Sequence, residues 1–294
     1  MPLLFFFILS LIFPSPASAE TPNLLTVSPS IIRLDLATDK PETVLEYKNN
    51  SNNTIELSLS ASDFNELEHG YEPAFINQKD AKNYKYSLSS WISFDKNTIL
   101  IAPKASEKIT VFINKDQLSP GGHYGSIQAS VVNPNTNDAV AIQSVLSSLV
   151  FVRTNTGKEN ESAKIQSLEL QRNLLNFPKT FTLRFQNTGD TDLIPYGLII
   201  IKDIFGSEVA RGILNEGSLI TLPESIRSYE VKINSNIFLF PSLYTAEFKG
   251  HFGKTNQKME KEIKFLSEGS LPIIFICSIA IIAVITFYRF RKRA

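Results

Sequence analysis

Cysteine is almost absent from this 294-residue chain; the only one is Cys277. No disulfide can form within the chain, and no thiolate metal site can be assembled from it. Folded parts must therefore be held by their apolar cores. Histidine is scarce too. His69, His123 and His251 lie in three separate segments, with no His-x-x-x-His and no Glu-flanked pair, so the spacing of a zinc site is missing. There is no Gly-x-Ser-x-Gly elbow and no glycine loop that would cradle a phosphate. Neither sign of charge dominates, since 29 basic residues face 29 acidic ones. Without a basic stripe, nucleic-acid binding has no electrostatic footing. The sequence thus predicts no enzyme chemistry, no metal and no cofactor.

The two ends carry the long apolar runs. Residues 3–13 are apolar apart from Ser10, and Pro14, Ser15 and Pro16 stop the run. Ala17-Ser18-Ala19 then offers the small-x-small pattern of a cleavage site, so residues 1–19 read as a signal peptide with Glu20 opening the mature chain. No Lys or Arg precedes the run, and no Cys follows it to take a lipid. Residues 271–288 hold no charge, and at about 1.5 Å per residue they reach across about 30 Å of hydrocarbon. Arg289, Arg291, Lys292 and Arg293 follow at once, as a basic stop-transfer tail (289–294) does on the cytoplasmic side. No Thr-Gly precedes the run for a sortase to cut. The expectation is a single-pass type I protein in the cell membrane. Its bulk is extracellular or periplasmic and its C-terminus cytoplasmic. With four basic residues in the tail, 25 remain outside against 29 acidic ones, a mildly acidic exterior.

Between the ends, apolar and polar residues alternate with period two, the mark of half-buried strands. Ile55, Leu57, Leu59 and Ala61 alternate with Glu56, Ser58, Ser60 and Ser62. Phe181, Leu183 and Phe185, Tyr229, Val231 and Ile233, and Tyr244, Ala246 and Phe248 repeat the pattern. Turn residues separate the runs at 49–53, 120–122, 133–137, 187–189 and 205–206. The polar, aperiodic stretch 154–162 marks a boundary. These patterns predict an all-β chain of two tandem Ig-like β-sandwich domains, 24–153 and 163–266, followed by one C-terminal transmembrane helix over 271–288.

The first domain opens on Ser28-Pro29-Ser30-Ile31-Ile32-Arg33-Leu34. A strand running into an Asn-rich turn follows at 44–53. Then come Trp91-Ile92-Ser93-Phe94, Ile101-Ala102-Pro103-Lys104 and Pro120-Gly121-Gly122-His123-Tyr124-Gly125. This order resembles the N-terminal domain of the WxL-interacting protein family of bacterial surfaces, and more loosely that of pilus chaperones. The second domain is similar to that family's C-terminal domain at 185–190, 197–205, Leu222-Pro223 with Arg227, and 243–253. The resemblance implies attachment, with the first domain binding peptidoglycan and the second engaging a protein partner. Pilus chaperones hold a partner's terminal carboxylate with basic residues near the two ends of their N-terminal domain. Arg33 stands in the first of those places, and the strand 145–153 has no Lys before its apolar end.

Two segments offer candidate contacts. The insert 63–89 is long for a compact sandwich, and such loops are usually functional or disordered. It brings His69, Tyr71, Phe75, Tyr84 and Tyr86, suited either to polar-aromatic contact with a glycan or protein or to packing beside Trp91. In 120–125, His123 and Tyr124 can contact a ligand approaching Gly121 and Gly122, or Tyr124 can lock a structural corner as aromatic residues do in Ig-like folds. Acid pairs such as Glu66 with Glu68 read as solvated loop carboxylates rather than a glycosidase pair. The function expected first is a non-enzymatic, membrane-anchored surface protein that binds cell-wall polymer (peptidoglycan), a surface protein partner, or both. The alternatives are a chaperone-like assembly factor for surface proteins, presenting a strand edge, and a surface hydrolase.

Overall fold

The computed structural model describes residues 24–66, 73–76, 83–132, 145–171, 180–233, 242–267 and 271–291. The predicted signal peptide lies outside them. The described chain is all-β apart from two short 3-10 turns and one helix.

The strands fall into two sets. The first holds β1 (Leu25–Ser28), β2 (Ile31–Asp35), β3 (Glu42–Asn49), β4 (Ile55–Glu66), β5 (Pro73–Phe75), β6 (Ile92–Phe94), β7 (Thr98–Ile101), β8 (Ser106–Ile113), β9 (Gly122–Val131) and β10 (Val145–Arg153). They form one sheet in the order β1-β3-β8-β6 and another in the order β2-β10-β9-β4-β5, with β7 also on β4. The pairing is antiparallel except that β2 runs parallel to β10, Leu149 beside Ile31 and Phe151 beside Arg33. The second set holds β11 (Ala163–Leu170), β12 (Thr180–Asn187), β13 (Tyr196–Lys202), β14 (Glu208–Leu214), β15 (Ile226–Lys232), β16 (Ser242–Phe252) and β17 (Gln257–Ser267). Its sheets run β11-β12-β15 and β14-β13-β16-β17.

Period-two alternation puts one row of side chains inside each pair of sheets. In β12, Phe181, Leu183 and Phe185 are buried while Thr180, Thr182 and Arg184 face out to a half-buried surface. Leu45, Leu57, Ile101, Ile109 and Val150 fill the first core; Phe181, Phe185, Ile199, Val231 and Phe248 fill the second. Each such side chain, fully buried, stabilises the fold by about 1.5–3 kcal/mol.

The two sets repeat one polar device. The Asn49 side chain donates to the carbonyls of Asn53, Ile101 and Ala102 and accepts from Ser51 N–H at 2.8 Å. The Asn187 side chain donates to the Thr191 and Thr221 carbonyls at 2.7 and 3.0 Å and accepts from Gly189 N–H. Both Asn residues are fully buried. Each sits at the end of its strand and ties off the turn, because an Asn side chain can stand in for a backbone partner.

The C-terminal expectation is corrected. The segment is helical, α1 (Leu271–Arg291). Among the described residues, however, no helix is long and apolar enough to cross a membrane. The transmembrane helix over 271–288, the single-pass localisation and the cytoplasmic stop-transfer role of Arg289 and Arg291 are therefore not retained. Lys292 and Arg293 lie outside the described residues.

Candidate functional site

A small third core joins the two sets of strands. Phe64, Tyr86, Tyr124 and Phe151 come from the first set and Leu222 from the second. The rings meet edge to face, Phe64 on Phe151 at 5.6 Å and Tyr124 on Phe151 at 5.8 Å, the geometry aromatic quadrupoles favour. Buried ion pairs flank this cluster. Arg227 donates to the Glu66 carboxylate, whose other oxygen accepts Leu222 N–H at 2.7 Å. The two side chains are only 2% and 11% exposed, Glu66 first. Burial pushes the Glu66 carboxyl up; the Arg227 charge and the Leu222 N–H oppose that.

On the other side of the cluster, Arg153 donates from Nε to Asp192 at 2.9 Å, from Nη2 to the Asp192 carbonyl, and from Nη1 to Glu161 at 3.3 Å. Burial by itself would lower the Arg153 pKa, but the Asp192 carboxylate outweighs it and raises it. Glu161 moves down: burial would raise it, but the N–H groups of Lys254 and Thr255 hold it charged. The 120–125 turn completes the seam. Gly122 N–H donates to the Asp190 carbonyl at 2.7 Å. Gly121 sits at φ +126°, and a Cβ there would lie 2.9 Å from that same carbonyl oxygen, so this approach requires glycine.

Two hollows open along the seam, on either side of Arg33 and Phe151. One, about 470 Å³, lies between Arg33, Asp35, Arg153, Asp192, Tyr196 and Lys254. The other, about 200 Å³, is mainly apolar and lies between Ile31, Phe64, Leu149, Phe151, Ile220 and Leu222. Arg33 stands over the Phe151 ring at 5.2 Å, 3.7 Å from Asp192, with its side chain 46% exposed. Arg153, at 19%, is committed to its two carboxylates. Of the two arginines, Arg33 is therefore the one with capacity left for an anion. Among the described residues no group of His, Cys, Asp and Glu is arranged to hold a metal.

The candidate contact residues are divided by the structure. His69 and Tyr71 lie outside the described residues. Phe75 is exposed on β5. Tyr84 and Tyr86 pack on each other at 5.9 Å, and the Tyr86 hydroxyl donates to Glu224 of the second set at 2.9 Å. His123 is buried, with Nδ1 on the Ser87 carbonyl and Nε2 on the Ser119 carbonyl. Tyr124 is fully buried and its hydroxyl reaches Asp192. Four of the candidates thus stand at the joint rather than on an open surface. Glu66, expected in a solvated loop, has one of the most buried charged side chains among the described residues. Sequence reasoning missed Arg227, Arg153 and Asp192 as partners. Each is an isolated charge in a strand or turn, with no local pattern to show which distant charge it meets.

No family model and no curated protein matches the chain. Solved structures do. One is a chaperone–tip adhesin complex of CFA/I fimbriae (TM-score 0.45, 11% identity, covering 81% of this chain and 98% of that one). The YadV chaperone matches with TM-score 0.41 and 12% identity, over 82% and 100% of the two chains. The CupB2 chaperone of Pseudomonas aeruginosa matches with TM-score 0.39 and 8% identity, over 81% and 98%. The resemblance to the WxL-interacting family is corrected accordingly: no family model matches the chain, and the three solved structures named above are of chaperones. The peptidoglycan-binding role implied by that resemblance is withdrawn with it.

Proposed function

We propose that this chain is a non-enzymatic assembly factor that receives an extended segment of a surface protein along the open edge of β10. The observation that carries this reading is the partial cover of that strand. β9 pairs with the whole of β10, but β2 pairs with it only from Leu149 onward. Among the described residues, nothing pairs with the outer edge over 145–148. Leu149 N–H donates to the Ser30 carbonyl, so by period two the N–H groups of Val145 and Ser147 point to the same side and find no strand there.

Edge chemistry supports this. The longest edge strand, β17, carries Lys258, Glu260, Lys261, Glu262 and Lys264, the charges that keep an edge from pairing. The open stretch of β10 is Val-Leu-Ser-Ser, with no charge to repel a partner strand. Such an edge suits β-augmentation, where backbone bonds give affinity and alternate side chains give selectivity. In this reading two Ig-like domains, 24–153 and 163–266, meet at the seam. Arg33 offers its half-exposed guanidinium to a client carboxylate, and among the described residues Phe75 is the accessible member of the aromatic set. The reading agrees with the chaperone names of the matched structures but rests on the strand edge.

The test uses the whole chain and a fluorescent ten-residue peptide of alternating Val and Thr. Bound peptide should slow hydrogen exchange at the Val145 and Ser147 amides. Val145→Asp with Ser147→Asp should abolish binding while leaving the melting temperature unchanged. Amides that exchange at the free rate under saturating peptide would sink the reading.

A further inference from the structure

We infer that the 200 Å³ hollow beside Phe151 is a selectivity slot taking one large apolar side chain, aliphatic or aromatic, from the end of the client strand. This deepens the edge-binding reading and rests on it.

The slot stands where an added strand must stop. β2 occupies the edge position beside β10 from Leu149 onward. The Ser148 hydroxyl bonds the Pro29 carbonyl, and Leu149 N–H bonds Ser30. A client strand lying on residues 145–148 therefore ends against 29–31. On β10, Val145, Ser147, Leu149 and Phe151 share one face by period two, and Ile31 and Arg33 continue that face beside Leu149 and Phe151. The last client side chain on this face is aimed at Ile31, which is 51% exposed.

Beyond Ile31 the surface falls into the hollow. Leu149, Phe151 and Phe64 line it from the first set, and Ile220 and Leu222 close it from the second. Its chemistry is mainly apolar. Glu66 and Arg227 line it too, but they are committed to each other and to Leu222 N–H, and Arg33, Asn65 and Ser218 supply the rest of its polar lining. About 200 Å³ fits one large side chain and falls below the 300–1,000 Å³ usual for small-molecule sites. Hydrogen bonds hold the wall in place. The Asn215 side chain donates to the Pro195 and Leu219 carbonyls and accepts Leu219 N–H, and Thr221 exchanges backbone bonds with Leu193 at 2.7 and 2.9 Å. A preformed slot adds affinity without an ordering cost.

The probes are alternating Val/Thr peptides of ten residues, with Gly, Lys, Leu or Phe placed at one end or the other, titrated against the whole chain by fluorescence anisotropy. Leu or Phe at one of the two ends should bind about tenfold or more tighter than Gly there, and Lys should give no gain. Ile220→Trp, which fills the slot from the loop, should erase that gain while the Gly peptide binds as before. Ile220→Ala, which enlarges the slot, should shift the preference from Leu towards Phe. Equal affinity for all end residues, with Val145 and Ser147 still protected, overturns the slot and leaves the edge reading standing. No protection by any peptide overturns both.

Discussion

Arg227 of the second strand set closes on Glu66 of the first, 161 residues away in sequence, with both side chains nearly out of water. The pair ties the end of β4 to the start of β15, and its consequences are measurable.

Arg227→Ala leaves the Glu66 carboxylate buried and uncompensated. The expected loss is about 3–5 kcal/mol at neutral pH. It should shrink in acid. The folded value of Glu66 is already raised above 4.5 by burial and rises further once the cation is gone. The stability linked to its proton is thus present below pH 4.5 and lost as pH rises through the folded value. Chemical unfolding at pH 5 and pH 8 measures this; equal losses at both would contradict it.

Glu161 works with the opposite sign. Its folded pKa is lowered below 4.5 by the Lys254 and Thr255 N–H groups. Its contribution is present above 4.5 and disappears as pH falls through the lowered value. Glu161→Gln should flatten the acid limb of the stability curve and change little at pH 8 beyond the lost Arg153 contact.

Arg153 and Arg33 both face Asp192 but should differ sharply. Arg153→Ala exposes a buried carboxylate to an apolar seam and should cost about 3–5 kcal/mol. Arg33→Ala removes a half-exposed contact at 3.7 Å and should cost less than about 1 kcal/mol. It should instead weaken binding of a peptide with a free terminal carboxylate relative to its amide. Thermal melts and paired peptide titrations separate the two.

Gly121→Ala combines positive φ with a contact 2.9 Å from the Asp190 oxygen. A loss of about 1–3 kcal/mol is expected, visible as easier proteolysis between the two strand sets. Asn187→Ala strands the Thr191 and Thr221 carbonyls and Gly189 N–H, and should cost about 1–3 kcal/mol.

The strands were legible because period-two alternation is a local signal. Leu57 and Leu59, or Phe181 and Phe185, announce their own burial, and the Asn-rich turns announce the ends. The joint was not legible. Nothing beside Glu66 in sequence distinguishes it from a loop acid; only the arrival of Arg227 and Leu222 does. Tyr86 reads equally well as a contact or a core residue, and Tyr124 first as a structural corner, because an aromatic ring serves both roles and their neighbours in space come from other strands. The stretch of β10 left unpaired among the described residues is set by where β2 begins, through pairing between residues over a hundred positions apart. At the C-terminus the sequence shows an apolar run and basic residues, whereas the helix described there supports no span.

The parallel seating of β2 against β10 has a mechanical consequence. The chain enters the sheet β2-β10-β9-β4-β5 through β2 and leaves it through β10, and these two neighbours point the same way. Tension applied between Ile31 and Arg153 would pull the two strands past each other lengthwise. The whole ladder would be loaded together in shear, rather than peeled one bond at a time. A set of strands strung in this way should resist being stretched far better than its modest size suggests.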